Sequence, residues 1–205
     1  MQIEVMQHTP IEDPGLITQW AEAHDIRLNV HRIDIGDNIK VLNPAAMDAL
    51  IVLGGPQSVN DDDDWLAAER IIIRSLAKLG RPVLGICLGA QQIVRAFGAP
   101  VFAADNPEHG YMPVTDVKTG TDFTAFQWHD EEMADLPGAE RLYTNADGAN
   151  QGFVYHDNIV GLQFHLEMTG AMIDELRVDA GEAPVADVAM ETTRLTTILD
   201  QLFSE

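Results

Sequence analysis

Cysteine occurs once in these 205 residues, at Cys87. No internal disulfide can form, so the fold has to rest on its apolar core. Lysine is nearly as scarce, with Lys40, Lys78 and Lys118 its only copies. Lysine and arginine together number 12 against 33 acidic residues, a formal net charge of −21. Such a surface repels nucleic-acid phosphates and anionic lipid, so direct binding to either is not expected. No apolar run approaches the roughly 18 to 20 residues a bilayer span requires. The opening Met1-Gln2-Ile3-Glu4-Val5-Met6 has no basic segment ahead of its apolar residues and reads as a strand, not as a secretion signal. With disulfides also absent, the expected location is cytoplasmic. A phosphate-binding Gly-rich loop ending in Lys-Ser/Thr is missing, so any ATP chemistry belongs elsewhere. A serine elbow is missing too, which removes the serine-type α/β-hydrolases. No histidine, cysteine or acid falls at metal-ligand spacing, so neither a metal nor another cofactor is expected.

What is present is an ordinary globular composition, 46% apolar, with no repeat and no long linker. A single domain over 1–205 is the expectation. Asp61-Asp62-Asp63-Asp64 lacks the alternating spacing and terminal glutamate of a calcium loop. Its place ahead of an apolar-periodic stretch suggests acids capping a helix.

The first half alternates in period. Residues 3–6, 28–33, 49–53 and 83–86 read as strands, the last two continuously apolar as in a buried parallel sheet. Residues 11–23, 65–79 and 88–97 read as helices, the latter two stopped by Gly80 and Gly98. This rhythm predicts an α/β fold: three layers, with an open, mostly parallel sheet and helices on both faces. In the second half, 111–117, 123–128, 141–144, 152–155 and 159–164 read as shorter strands, an antiparallel extension of that sheet. Helices are expected at 173–178 and 188–203.

Val83-Leu84-Gly85-Ile86-Cys87-Leu88-Gly89-Ala90-Gln91 carries the chemistry. A buried strand runs through Gly-x-Cys-x-Gly into a helix, which predicts a sharp elbow with the cysteine at its turn. A lone cysteine is ordinarily a small buried hydrophobe. The flanking glycines and the helix N-terminus behind the sulfur favour a nucleophile. Downstream, Phe164-His165-Leu166-Glu167 ends an alternating strand. Residues two apart in extended chain share a side, so Glu167 is placed to orient His165. Cys87, His165 and Glu167 then have the residue types of a nucleophile, base and orienter.

Together with Val52-Leu53-Gly54-Gly55-Pro56, these two motifs resemble those of class I, triad-type glutamine amidotransferases, in the family's order. Gln127-Trp128-His129-Asp130 and Asp13-Pro14-Gly15-Leu16 are similar to segments of the stand-alone members related to the amidotransferase domain of GMP synthase. The resemblance implies that family's flavodoxin-like fold and hydrolysis of the glutamine side-chain amide through a Cys87 thioester. It also implies an oxyanion hole from the backbone N–H groups of Gly55 and Leu88. Gln91, one helical turn beyond Cys87, and Asn150, Gly152 and Phe153 are the implied substrate contacts. Glutamine is the implied substrate, and a separate synthetase or ammonia-acceptor subunit is the implied partner, since this chain shows no second domain for an acceptor.

Three positions depart from the family pattern. Leu166 stands where proline is usual between the histidine and the glutamate, and loss of that stiffening predicts a looser triad. Asp130 stands where glycine usually follows the histidine, leaving His129 either structural or lining the pocket. The paired glycines after the elbow helix are reduced to Gly98-Ala99. Two other functions stay open on the same residues: hydrolysis of γ-glutamyl peptides or conjugates, and a non-catalytic regulatory module with the same fold.

Overall fold

The computed structural model describes residues 1–185 and 191–203. Nine strands form one mixed sheet. In chain order they are β1 (Gln2–Gln7), β2 (Arg27–Arg32), β3 (Ala49–Val52), β4 (Val83–Ile86), β5 (Val101–Asp116), β6 (Thr121–Met133), β7 (Glu140–Thr144), β8 (Asn150–Tyr155) and β9 (Ile159–Leu162). Their order across the sheet is β2-β1-β3-β4-β9-β8-β6-β5-β7. The block from β2 to β9 is parallel throughout. Beyond β9 every pairing is antiparallel, with β7 also joined to β8.

Strand alternation divides the core between two faces. In β3, Ala49 and Ile51 point to one face while Leu50 and Val52 point to the other, all four buried. Helix α1 (Leu16–Ala23) buries Ile17, Trp20 and Ala21 on the first face. Helix α5 (Thr192–Phe203) buries Leu195, Ile198, Leu199 and Phe203 beside them. Helices α2 (Asp64–Lys78) and α3 (Leu88–Ala96) cover the second face, through Ile72, Ile73 and Leu76 of the former and Ile93 and Val94 of the latter. Each such side chain, fully buried, contributes roughly 1.5 to 3 kcal/mol. Helix α4 (Gly170–Asp179) lies apart and buries Ile173 against Phe126 and Met168. No helix among the described residues is long and apolar enough to cross a membrane.

Several elements differ from the sequence expectation. The first helix begins at Leu16, not at residue 11. Gly15 has φ 49°, and the Leu16 N–H donates to the Glu167 carbonyl at 2.8 Å, so a tertiary contact sets where the helix starts. Asp63 is the N-cap of α2, yet its side chain makes no capping hydrogen bond; Asp61 instead accepts from the Ser58 N–H at 2.9 Å. The acid run therefore acts on α2 through charge alone. The expected short strands at 111–117 and 123–128 are parts of β5 and β6, which form one long hairpin with an irregularity between Ala103 and Glu108. Of the helix expected over 188–203, residues 188–190 lie outside the described residues, and α5 occupies Thr192–Phe203.

Candidate active site

The C-terminal ends of β1, β3, β4 and β9 lie side by side, so the loops leaving them meet at one end of the parallel block. A cleft of about 370 Å³ opens there, lined by residues that include Glu12, Gly55, Cys87, Leu88, Gln91 and His129.

Cys87 sits between β4 and α3 with φ 50° and ψ −110°, a conformation that costs an ordinary side chain energy. Its N–H donates to the Leu162 carbonyl at 2.7 Å, and its carbonyl accepts from the Gln91 N–H at 3.1 Å. The glycines on either side make the turn sterically possible. A Cβ at Gly85 would come within 2.5 Å of the Gly89 backbone, and one at Gly89 would overlap the Val52 carbonyl. Strand, turn and helix can pack this closely only because both positions lack a side chain.

His165 follows β9 and is tied to β6 through its N–H, which donates to the Phe126 carbonyl at 2.8 Å. Its Nδ1 meets Glu167 Oε1 at 2.7 Å, with both side chains 1% exposed. The Cys87 sulfur lies close enough to act on the imidazole electrostatically. Burial by itself would lower the His165 pKa, but the Glu167 carboxylate and the Cys87 sulfur outweigh it and hold the imidazole well above its usual range. A ring with that affinity for a proton is a strong base toward the neighbouring thiol. The Leu166 N–H donates to Glu167 Oε2 at 3.0 Å. Leucine in place of proline thus supplies a donor that holds the carboxylate, and the expected loosening is absent from this geometry.

The remaining expected residues divide into two groups. Gly55, Leu88 and Gln91 line the cleft with Cys87. Gln91 Nε2 donates to the Glu131 carbonyl at 3.2 Å and to Gln163 Oε1 at 3.3 Å. Asn150, Gly152 and Phe153 do not line it. Asn150 Oδ1 accepts from the Gly152 N–H at 3.0 Å, within its own strand. Gly152 is packed under the Tyr143 ring. Phe153 is 1% exposed in the core, its ring seated where Gly161 leaves room. Asn150 and Phe153 are buried beside Gly152 in the β7–β8–β9 region, and none of the three lines this cleft. His129 lines the cleft with both ring nitrogens engaged, Nδ1 with the Glu131 carbonyl at 3.0 Å and Nε2 with Gln127 Oε1 at 3.1 Å.

Three residues of the site carry no signal of their own in the sequence. Gln163 Nε2 donates to the Cys87 sulfur at 3.8 Å, although in the sequence it is only the polar member of an alternating strand. Glu12 reads there as a helix-opening acid. In the structure its carboxylate is buried against Gly54 and near His165, with Oε2 unpaired. Burial, reinforced by the Glu167 charge, raises the Glu12 pKa, with His165 and His8 acting in the opposite sense. His8 is buried against the Gly54-Gly55 loop. Its partners lie 46 and 61 residues away in the chain, so no local pattern could have marked it.

A model of the family described as "Glutamine amidotransferase class-I" matches residues 15–176. A glutamine amidotransferase-like protein of Salmonella typhimurium, YfeJ, is 28% identical over 192 residues, covering 86% of this chain and 80% of its own length. The glutamine-hydrolysing GMP synthase of Sulfolobus acidocaldarius has a subunit that is 33% identical over 130 residues, covering 59% of this chain and 68% of its own. Among solved structures, a glutamine amido transferase from Methylobacillus flagellatus superposes with a TM-score of 0.84 at 27% identity, covering 93% of this chain and 81% of that one.

Proposed function

Since the chain belongs to the class-I glutamine amidotransferase family, we propose that it hydrolyses the side-chain amide of glutamine and releases ammonia for an acceptor held by a separate protein. The observation that carries this reading is the meeting of Cys87, on its strained elbow, with the buried His165–Glu167 pair at the wall of the cleft.

His165 holds the proton given up by the Cys87 thiol, and the thiolate attacks the amide carbon. Glu167 fixes the ring and balances its charge. The carbonyl π electrons move onto oxygen, and the N–H groups of Gly55 and Leu88 donate hydrogen bonds to the resulting oxyanion. Leu88 is the first residue of α3, so its N–H has no partner within the helix. The tetrahedral species collapses as His165 protonates the nitrogen. The C–N bond breaks, ammonia leaves, and a γ-glutamyl thioester remains on Cys87. Water adds to the thioester carbon and gives a proton to His165. The C–S bond then breaks, glutamate departs, and the sulfur recovers its proton. Gln91 contacts the amino-acid end of the substrate. The Sulfolobus relative bears a name that makes it one subunit of a GMP synthase, which supports a separate acceptor-binding partner here.

A second reading keeps the chemistry and changes the leaving group. Asp130 and Glu131 line the cleft and, among the described residues, no lysine or arginine does, which suits γ-glutamyl conjugates of cationic amines. Ammonia and glutamate release from glutamine, set beside turnover of γ-glutamyl amines, separates the two. Cys87→Ala is the control for both, because removing Glu167 would strand a buried charge at a cost of about 3 to 5 kcal/mol in stability. If Cys87→Ala retains the wild-type rate, the thioester reading fails. If the wild type turns over neither substrate and Cys87 resists alkylation by a glutamine-like chloroketone, the chain is a non-catalytic module.

A further inference from the structure

His8 lies just beyond β1, buried between the Gly54-Gly55 loop and α2. Its Nδ1 is 3.1 Å from the Gly54 carbonyl oxygen, and its Nε2 is 2.9 Å from Glu69 Oε1. A carbonyl can only accept, and so can an ionised carboxylate. Nδ1 therefore carries hydrogen, and where Glu69 is ionised Nε2 does too, which makes His8 an imidazolium. The Glu69 charge outweighs the burial that would otherwise lower the His8 pKa, with smaller help from Glu12. Both side chains of the His8–Glu69 pair are wholly buried. The second oxygen of Glu69 accepts from Gln92 Nε2 at 2.7 Å, and Gln92 also donates to the Leu66 carbonyl at 3.2 Å. The chain of bonds thus runs from α3 through α2 to the loop. The Trp65 ring, 4.9 Å away between centroids, closes one side of the imidazole.

The carbonyl that His8 holds belongs to the peptide joining Gly54 to Gly55. No cis peptide occurs among the described residues, and in a trans peptide the N–H points opposite to the C=O. Fixing the Gly54 oxygen on His8 therefore aims the Gly55 N–H away from His8. Two glycines in succession leave this peptide little intrinsic preference between its two orientations. A Cβ at Gly55 would lie 2.7 Å from His8 Cβ, 2.8 Å from Gln57 Oε1 and 3.1 Å from Leu88 Cδ2, so the loop is packed on several sides and His8 is the neighbour that also bonds its carbonyl. We propose that His8, anchored by Glu69, is a positioning residue that locks the Gly54–Gly55 peptide with the Gly55 N–H turned into the cleft as an oxyanion donor. The proposal rests on the amide-hydrolase reading given above. It adds that the donor is competent only while a buried cation outside the cleft holds the peptide. The charge also draws electron density toward the Gly54 carbonyl, which makes the Gly55 N–H a stronger donor.

The test uses the full chain and three variants. His8→Leu combined with Glu69→Gln removes the donor without stranding a buried carboxylate, and the amide oxygen introduced on α2 can still accept from Gln92. His8→Asn keeps a donor near the position of Nδ1, whereas His8→Gln places its amide near the position of Nε2. In the double variant and in His8→Gln, kcat for the γ-glutamyl substrate should fall about 10- to 100-fold, less than or equal to the loss of a whole oxyanion donor. KM should stay within about threefold, and alkylation of Cys87 by iodoacetamide should keep its wild-type rate, because neither needs the hole. His8→Asn should recover most of kcat. Crystal structures of the wild type and the double variant should show the Gly54–Gly55 peptide turned in the variant. An unturned peptide, an unchanged kcat, or equal losses in His8→Asn and His8→Gln would overturn the proposal. A wild type that cleaves no γ-glutamyl compound would sink the functional reading, while the peptide orientation would still decide the role of His8.

Discussion

The backbone N–H of Leu166 donates to Oε2 of Glu167 at 3.0 Å, while Oε1 of the same carboxylate meets His165 Nδ1 at 2.7 Å. One carboxylate is thus held at both oxygens, by the ring it orients and by the chain between them. Proline at this position could not donate. Leu166→Pro should destabilise the fold by about 1 to 3 kcal/mol through the unsatisfied buried acceptor. It should also lower kcat more than it raises KM. Denaturant unfolding and steady-state kinetics on the same preparation check both; unchanged stability and kcat would show that the second bond contributes nothing.

His165 should keep its proton well above the usual imidazole value of about 6.5. Its stabilising contribution is then complete below about pH 6.5 and is lost as pH rises through the folded-state value. Because Cys87 is one of the groups that raise it, Cys87→Ala should bring the His165 titration down. An NMR pH titration of the ring Cε1–H in both proteins measures this directly, and coincident curves would refute it.

Glu12 has the opposite sense. Its carboxyl pKa is raised, chiefly by burial, so the folded state favours the neutral acid. The penalty is absent below the ordinary glutamate value of about 4.5 and grows as pH rises through the folded-state value. Glu12→Gln should therefore raise Tm by a few degrees at pH 7 to 8, an advantage that disappears near pH 4. Thermal melts across that range decide it. A variant less stable than wild type at pH 8 would show that the charged form is the one the fold needs.

Gly89→Ala should be among the most damaging single-methyl changes in the chain. The added Cβ would overlap the Val52 carbonyl, a backbone group of the central strand β3 that cannot swing aside. A loss of about 3 kcal/mol or more is expected, at the upper end of overpacking costs. Gly80→Ala serves as the comparison. Its position has open space, so its cost comes only from the positive φ of 67°. Urea unfolding of the two variants should rank them clearly, and equal losses would contradict the clash.

How much of this was legible follows from how local each cause is. The elbow at Cys87 could be read because its steric requirement, glycine at 85 and 89, lies close to it in the chain. The stops of α2 and α3 at Gly80 and Gly98 were readable for the same reason, since a positive φ is a property of one residue. His165 and Glu167 could be paired because extended chain puts alternate residues on one side. The place of the Phe153 ring was not legible in this way: it packs where Gly161 leaves room, a neighbour that only strand pairing brings near.

The sequence by itself determined the buried parallel strands, the amphipathic helices, the strained cysteine turn and the His-x-Glu pair, since each follows from short-range sterics or from the period of apolar residues. Only the tertiary structure decided the start of α1, the unpaired burial of Glu12, the Gln163 bond to sulfur, the hold of His8 on the Gly54–Gly55 peptide, and the withdrawal of Asn150, Gly152 and Phe153 from the cleft. Those depend on which polar groups meet after strands distant in the chain become neighbours. A buried charge or amide takes its role from its partners there, and a linear pattern does not name them.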